Sequence, residues 1–278
     1  MLKNLFALSV AAAAIGVIAV PTQAKASVGV PSVDAFSYTQ NFDSLATTGT
    51  ANLWTNDSTL QGWSLFTSSG SDITAYSTGN GSSNTGNFYS FGTTGSTDRA
   101  LGGVGSGGAY FGTPAPASGA VAGYIAVAFQ NNSSSALNNF TVGFNGEQWR
   151  NGGNTSAQPM VLEYGYGSSF ATVSSWTAPG GNVDWNSPVA TATAAALDGN
   201  AAPNSVLGLG GTVATTWGAG DTLWIRWVER NDVGLDHGLA IDNLTFSVSP
   251  VPEPATYVLL LAGLGMMGAM ARRRKYGV

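Results

Sequence analysis

Short runs of apolar or alternating residues, separated by clusters of Gly, Ser, Asn and Thr, recur throughout residues 27–250. Strands joined by turns produce this pattern, whereas an amphipathic helix places apolar residues three and four positions apart. We therefore predict an all-β fold, an antiparallel β-sandwich of jelly-roll type. One domain over residues 27–250 is expected, since about 220 residues suit a single sandwich. The clearest predicted strands are 36–42, 63–66, 88–92, 121–129, 140–144, 160–166, 223–229 and 239–248.

Three segments of this region carry further expectations. Residues 68–86 are rich in Gly, Ser and Asn and are predicted to form a long mobile loop. Residues 189–197 alternate Ala and Thr before a turn at 198–200, so a strand is at least as well supported as a helix. In the predicted strand 223–229, Arg226 shares a face with Trp224 and Val228, which indicates a partly polar sheet face lining a groove.

The first 26 residues have the pattern of a secretory signal peptide. Lys3 precedes an apolar run over residues 5–20, and the sequence Ala24-Lys25-Ala26 follows. A positive start, an apolar middle and an Ala-x-Ala site are what signal peptidase recognises, so residues 1–26 are predicted to be a helical signal peptide cleaved after Ala26. An uncleaved N-terminal anchor is the alternative. Either way, the chain is predicted to be exported.

The other end of the chain carries a second apolar segment. Residues 256–271 form an uncharged stretch of 16 residues, followed by the four cations of residues 272–275. As a single helix this stretch would reach about 24 Å, against about 30 Å of hydrocarbon in a bilayer. The cations are expected to stay on the cytoplasmic side, leaving the body of the protein outside and the precursor transiently anchored in the inner membrane. A plain stop-transfer anchor would have the same pattern.

The tail over residues 251–278 resembles a known signal in the residues that flank this helix. The triplet Pro252, Glu253 and Pro254 precedes a Gly-rich apolar segment, and Arg272, Arg273 and Arg274 close it. In this order the three parts are similar to the PEP-CTERM sorting signal of Gram-negative bacteria. The resemblance implies recognition by an exosortase, cleavage near the triplet, and release or attachment at a cell envelope rich in exopolysaccharide.

Charge and composition exclude several classes of function. Between residues 27 and 250 there are four Arg, no Lys and fourteen Asp or Glu, so the body would repel nucleic acid. Cys is absent and there is one His, which excludes disulfides and thiolate or His-rich metal sites. Residues 103–108 have the glycine spacing of a dinucleotide-binding loop without a βαβ context. We therefore predict a protein that is not an enzyme; the abundant carboxylates keep a polysaccharide hydrolase as an alternative.

Four aspartates are candidate ligands for Ca²⁺. Asp232, Asp236 and Asp242 lie in a Gly-containing loop and the strand after it, and hard oxygen ligands on such a loop suit Ca²⁺. If the first and last strands pair, Asp43 comes close to Asp242, and a cation would relieve their repulsion. The Phe42-Asp43 and Ile241-Asp242-Asn243 motifs resemble those of bacterial carbohydrate-binding-like jelly rolls, which implies a structural Ca²⁺ between them. Turn-forming Asp residues are the alternative.

A second candidate site lies in one short stretch of sequence. Glu147, Trp149 and Arg150 put a carboxylate, an aromatic face and a guanidinium within four residues. Trp can stack on a sugar ring while Glu and Arg bind its hydroxyls. The alternative is a structural Arg–Glu bridge that caps a core Trp.

These features together predict an exported cell-surface or extracellular-matrix protein. Its body is expected to be a non-enzymatic structural or carbohydrate-binding module associated with exopolysaccharide. A secreted polysaccharide hydrolase and a protein-binding surface adhesin are the alternatives. A hydrolase needs paired carboxylates in a cleft, and an adhesin needs a flat apolar patch.

Overall fold

The computed structural model describes residues 27–31, 36–248, 259–267, 270 and 272. The predicted signal peptide and most of the predicted sorting tail, including Pro252, Glu253, Pro254, Arg273 and Arg274, lie outside the described residues. A short helix covers residues 259–267. The strands are β1 Val28–Val30, β2 Phe36–Gln40, β3 Asn52–Leu53, β4 Trp63–Thr67, β5 Ala75–Gly79, β6 Asn87–Phe91, β7 Ala100–Val104, β8 Val121–Asn131, β9 Leu137–Asn151, β10 Pro159–Tyr166, β11 Trp185–Asn186, β12 Ala195–Ala196, β13 Ser205–Trp217, β14 Thr222–Arg230 and β15 Gly238–Val248.

Two sheets form the body, as predicted for a β-sandwich. The six-stranded sheet has the order β1-β8-β14-β10-β11, and β4 also pairs with β8. The nine-stranded sheet has the order β12-β9-β15-β7-β6-β5-β3, with β13 added to β9 and β2 added to β15. The pairing is antiparallel except between β1 and β8 and between β5 and β6, so both sheets are mixed rather than purely antiparallel.

All eight clearly predicted strands are present, with ends that shift by a few residues in most cases. The largest difference is β9, which extends well beyond 140–144 because β13 and β15 pair along its two edges. The expectation of a continuous loop over 68–86 is wrong, since β5 lies within it and pairs with β6. Of residues 189–197, only β12 is a strand, and the rest is irregular chain.

Aromatic side chains fill the space between the two sheets. Trp63 and Trp227 stack with ring centroids 5.9 Å apart, and Phe129 stacks on Phe246 at 3.7 Å. Burying a large apolar side chain of this kind stabilises a fold by about 1.5–3 kcal/mol. Six of the eight Trp side chains are among the most completely buried in the described part of the chain. Most Trp residues therefore belong to core clusters, as the sequence indicated.

The predicted groove beside Arg226 does not exist, because a second small core covers that face. Residues 170–176 fold over β14, where Trp224 packs near Phe170. The Arg226 guanidinium lies 3.8 Å from the ring centroid of Trp176, and its Nε donates a 2.7 Å hydrogen bond to Oε2 of Glu163. Arg226 is therefore a structural residue held between aromatic rings and a carboxylate.

The last strand, β15, is a central element of the larger sheet and pairs with β2, β7 and β9. The expected pairing of an early strand with the last one is thus confirmed. A bulge interrupts β15 at Asn243, whose φ is 51°. The bulge shifts the alternation of side chains along the strand by one residue. As a result, Leu239 and Ile241 before the bulge and Leu244 after it all face the main core. Asp242 alternates with Ile241 and therefore lies on the outer face.

Candidate binding site

Four connections meet at the end of the sandwich where β15 begins. They are residues 80–86 before β6, 105–108 after β7, 152–158 after β9, and 231–237 between β14 and β15. We call these the end loops. Because antiparallel neighbours alternate in direction, the end of β9 and the start of β15 fall at the same edge, where Arg150 pairs with Gly238.

Glycine residues allow the backbones of the end loops to approach one another closely. A Cβ built on Gly105 would overlap the carbonyl of Arg230, and one on Gly152 would overlap the carbonyl of Asp236. A Cβ on Gly86 would likewise collide with the carbonyl of Ser106. Only Gly fits such contacts. The Gly-rich run after β7 therefore serves loop packing, consistent with the absence of a βαβ context in its sequence.

The end loops enclose an open pocket of about 610 Å³, which we call the end pocket. This is within the range of roughly 300–1,000 Å³ that small-ligand sites occupy. Hydroxyl, amide, carboxyl and guanidinium groups share the wall with main-chain groups and one large aliphatic side chain. The lining residues are Asn84, Thr85, Gly86, Val104, Ser106, Gly107, Gly108, Arg150, Gly152, Ala194, Asn231, Gly234, Leu235 and Asp236.

Arg150 is the basic residue of the pocket wall. Its side chain is buried, and Nη1 donates 3.1 Å hydrogen bonds to the carbonyls of Gly81 and Ser82. Its Nε is buried without a hydrogen-bond partner. Among the described residues the one ion pair is Arg226–Glu163, so the predicted bridge between Arg150 and Glu147 does not form.

Carboxyl groups lie beneath and beside this pocket. Oδ1 of Asp236 accepts a 2.6 Å hydrogen bond from the main-chain N–H of Asp232, and burial raises the pKa of Asp236 to about 7. Burial also raises the pKa of Asp232. Burial, then repulsion by Asp236 and Asp232, raises the pKa of Glu229 well above its usual range. These carboxyl groups therefore hold protons more tightly than exposed ones.

His237, the single histidine, supports the end loops. Its Nδ1 accepts a 2.9 Å hydrogen bond from the main-chain N–H of Gly152, and its own main-chain N–H donates to Oε1 of Gln158 at 2.6 Å. Burial lowers the pKa of His237, which favours the neutral ring at pH 7. Because Nδ1 is an acceptor, the proton of the neutral ring is on Nε2.

Two aliphatic side chains stand exposed on the loop that forms one rim of the end pocket. Val233 is 74% exposed and Leu235 is 58% exposed, on either side of Gly234. An apolar rim beside polar wall groups is a common property of ligand sites, since one side of the ligand can be desolvated while the other forms hydrogen bonds.

The structure corrects the second predicted site, because Glu147 and Trp149 are buried. Trp149 is 1% exposed, stacks parallel to Phe91 with ring centroids 6.0 Å apart, and donates from Nε1 to Oε2 of Glu147 at 2.9 Å. A segment after β11 covers this face, with the Leu197 N–H bound to the Trp149 carbonyl. Trp149 and Glu147 therefore have no face open to a sugar, and of the predicted trio only Arg150 reaches a pocket.

The four predicted Ca²⁺ ligands fall into two separate groups. Asp232 and Asp236 belong to the end loops, whereas Asp242 lies on the outer face of β15 and Asp43 follows β2. Asp43 is exposed, and its Oδ1 accepts a 3.0 Å hydrogen bond from the Arg99 N–H. In the described ranges no three or more His, Asp or Glu side chains are arranged to hold a metal ion.

Asp242 and Glu147 nevertheless form an unusual buried pair of acids. Oδ1 of Asp242 is buried with no hydrogen-bond partner, and Oδ2 accepts from Asn243 Nδ2 at 2.8 Å. Burial, with a smaller contribution from the charges of Asp98 and Asp43, raises the pKa of Asp242 to about 7. Burial, then repulsion by Asp242, raises that of Glu147 to about 8. Neither acid forms an ion pair with any residue that the structure describes.

The predicted membrane segment includes the described helix over residues 259–267. Within the described residues, no helix has both the length and the apolar character needed to cross a bilayer. Residues 250–275 match a known family of sequence motifs. These residues are a PEP-CTERM protein-sorting motif.

The PEP-CTERM motif identifies the chain as an exported, envelope-directed protein that an exosortase sorts. The motif begins two residues after the end of β15 and leaves the sandwich outside its bounds. No curated protein matches the chain. Among solved structures, the K2 cleaved adhesin domain of Lys-gingipain is similar, at 16% identity and a TM-score of 0.34, covering 76% of this chain and 97% of that one.

Sequence reasoning missed the end pocket as a unit. It singled out Arg150, Asp232 and Asp236 for separate reasons, and it did not identify Asn84, Ser106 or Glu229. A usable signal was present, because Gly recurs in each of the segments that form the end loops. Without a topology, however, nothing in the sequence indicates that these segments meet.

Proposed function

We propose that the sandwich is a non-enzymatic glycan-binding module of the cell surface or extracellular matrix, and that the end pocket is its binding site. The observation that carries this proposal is the pocket of about 610 Å³ lined by Arg150, Asn84, Ser106 and Asn231. Sugars present many hydroxyls on a compact ring, and amide, hydroxyl and guanidinium groups can donate to or accept from them.

The loops that carry these groups are held in place before any ligand arrives. Ser106 Oγ donates to the Asn84 carbonyl at 3.0 Å, and Asn231 Nδ2 donates to the Pro116 carbonyl at 2.7 Å. A preorganised wall loses little entropy on binding. The exposed Val233 and Leu235 provide an apolar surface against which the C–H groups of a sugar ring can pack.

The sorting motif supports an extracellular polymer as the ligand. An exosortase substrate is delivered to the envelope. We propose that its partner there is exopolysaccharide. Signal peptidase is the proposed enzyme that removes residues 1–26, and the C-terminal apolar segment is the proposed transient membrane anchor with its cations in the cytoplasm. No nucleic-acid partner is proposed for a body this acidic.

Ca²⁺ is the proposed structural cofactor, with Asp242 as its first ligand. The unpartnered buried Oδ1 of Asp242, next to the acid of Glu147, is the kind of atom that a hard cation satisfies. The remaining ligands would be main-chain oxygens and water, since no third acidic side chain joins the pair in the described part of the chain. The cation would stabilise the sandwich and would take no part in glycan binding.

The proposal is tested by titrating the full chain, purified in detergent, with a panel of neutral and acidic bacterial polysaccharides and their oligosaccharides. The diagnostic variant is Gly108→Phe, because Gly108 lines the end pocket, has an extended backbone and would place its Cβ in open space. We expect this variant to lose at least tenfold in affinity while keeping its melting temperature.

The matched control is Gly211→Phe, which also enters open space but lines a different concavity near Tyr164. It should bind as the wild type does. Equal affinity of Gly108→Phe and wild type, or loss in the Gly211→Phe variant instead, would overturn the assignment of the site. Release of reducing sugar ends during the titration would show that the protein hydrolyses the polysaccharide and would overturn the proposal of a non-enzymatic binding module.

A further inference from the structure

Arg150 is a buried cation without a counter-ion. Its side chain is 9% exposed, and no carboxylate of the described residues lies within 4.0 Å of its guanidinium. Removing a charge from water costs several kcal/mol unless a partner of opposite charge is provided. The carbonyls of Gly81 and Ser82 offset part of this cost at Nη1, and Nε has no partner.

The backbone around Arg150 holds the guanidinium at a fixed place in the wall. Arg150 pairs with Gly238 of β15 on one side and with Ala196 of β12 on the other. A residue fixed in a sheet on both sides positions its side chain more accurately than a loop residue does. With Nη1 occupied by two carbonyls and Nε buried, an arginine fixed in this way and lining a polar pocket offers its Nη2 N–H groups and its positive charge to whatever enters.

The acidic groups around the pocket do not supply the missing counter-ion. Burial raises the pKa of Glu229 well above its usual range and that of Asp236 to about 7, and it lowers the pKa of His237, so all three groups carry less charge here than when exposed. The remaining charged groups at the end of strand β14 and in the loop 231–237 are Arg230 and Asp232. From β6, Tyr89 faces Arg150. The guanidinium therefore remains available to a ligand.

We infer that the glycan bound in the end pocket carries a carboxylate, as a uronic acid does, and that Arg150 recognises it. This inference rests on the proposed function. A carboxylate can accept a charge-assisted hydrogen bond from Nη2 of Arg150 and supplies the negative charge that the buried guanidinium lacks. A phosphate or a polysulfate fits less well, because there is no Lys between residues 27 and 248 and one guanidinium balances only a single negative charge.

A matched pair of probes separates charge from sugar shape. The full chain is titrated with oligogalacturonate and with the same oligosaccharide after complete methyl esterification, which removes the charge and keeps the rings. We expect the acid to bind at least tenfold more tightly than the ester. Adding 0.5 M NaCl, on the order of ten times a low-salt buffer, should narrow this difference by screening the ion pair.

Two arginine variants test the assignment to Arg150. Arg150→Gln should bring the acid-to-ester affinity ratio close to one, and Arg150→Lys should restore part of it. The control is Arg230→Gln, which removes an Arg that lies outside the pocket lining and donates to the Gly119 carbonyl at 3.3 Å. Its ratio should stay at the wild-type value. If the Arg150→Gln variant does not fold, the acid-to-ester affinity ratios of the wild type and of Arg150→Lys are compared instead to test the role of Arg150.

The possible failures are distinguishable. Equal binding of acid and ester by the wild type, or binding of neutral glycans alone, overturns the carboxylate inference and leaves the glycan-binding module standing. A wild-type preference that persists in a folded Arg150→Gln variant overturns the role of Arg150. Absence of binding to every glycan in both panels overturns the proposed function together with the inference.

Discussion

The indole Nε1–H of Trp149 donates a 2.9 Å hydrogen bond to Oε2 of Glu147, two positions earlier on the same face of β9. This bond places a carboxyl group in the outer core of the larger sheet, beside Asp242 on the neighbouring strand. It explains why a sequence that looks like a sugar-binding patch forms an internal structure instead. Burial of this carboxyl group and repulsion by Asp242, which outweigh the hydrogen bond, raise the pKa of Glu147 and make the stability of the protein depend on pH.

Stability should fall as pH rises through the neutral range. Both acids have folded-state pKa values, about 8 for Glu147 and about 7 for Asp242, above an unfolded value of roughly 4. Their contribution is complete below pH ~4 and is lost as pH rises to the folded values, by at most about 1.4 kcal/mol per pH unit for each group. Urea denaturation in chelator from pH 5 to pH 9 measures this slope.

The variants Glu147→Gln and Asp242→Asn should flatten that slope, because an amide does not titrate. Ca²⁺ added at pH 8 should restore stability to the wild type and not to Asp242→Asn if the proposed cofactor binds there. A stability that is independent of pH in chelator would contradict the buried acid pair. If the stability of the wild type at pH 8 does not change when Ca²⁺ is added, the proposal that Ca²⁺ is a structural cofactor is wrong.

Trp149→Ala should destabilise the fold by about 3–5 kcal/mol without a specific effect on glycan affinity. Trp149→Phe keeps the stacking on Phe91 and removes the donor to Glu147, so its cost should be smaller, about 1–3 kcal/mol. Chemical denaturation and glycan titration of both variants provide the check. A folded Trp149→Phe variant with strongly reduced affinity would show that Trp149 does contact the ligand.

Gly105→Ala should destabilise the end loops, whereas Gly108→Ala should be close to neutral. The added methyl group at position 105 collides with the Arg230 carbonyl, and the one at position 108 meets nothing within 4 Å. Forcing such an overlap costs about 1–3 kcal/mol. Equal melting temperatures for the two variants would mean that the loops do not pack as described.

Binding of a uronate oligosaccharide should weaken as pH rises from 6 to 8. Over this interval Asp236, with a pKa of about 7, becomes ionised and repels the ligand carboxylate. Asp236→Asn should bind equally well at both ends of the interval. Affinity measured by calorimetry at pH 6, 7 and 8 tests this; a wild-type profile as flat as that of the variant would exclude a contact with Asp236.

Replacing Arg272, Arg273 and Arg274 with Gln should impair membrane retention and processing of the precursor. In the proposed membrane anchor, the three cations would hold the end of the apolar segment on the cytoplasmic side, because each of them opposes translocation across a bilayer. The ratio of precursor to mature protein on an immunoblot is the measurement, with Lys275→Gln as a single-charge control. Normal processing of the triple variant would mean that exosortase sorting does not depend on the cationic end of the motif.

The strand positions could be predicted because apolar residues and turn residues alternate along the chain in the order that a sandwich requires. The bulge at Asn243 could not, and it decides which residues after Asp242 face the main core. Burial of Trp149 could not be predicted either, since it depends on the segment around Leu197 folding over the outer face of β9. The end pocket combines loops that are far apart in sequence, so only the topology brings Arg150, Asn84 and Asn231 together.

The course of β15 has a mechanical consequence. The strand starts beneath the loop that rims the end pocket and ends at Val248, with one residue, Ser249, before the sorting motif. Its 11 residues extend about 34 Å, so the end pocket and Val248, the last residue of β15, lie at opposite ends of the strand. If a polymer is bound in the end pocket and the chain is attached to the envelope beyond Val248, tension between them would act along β15. The hydrogen bonds to β2, β7 and β9 run perpendicular to that pull and would resist it together, which is a favourable arrangement for a tether.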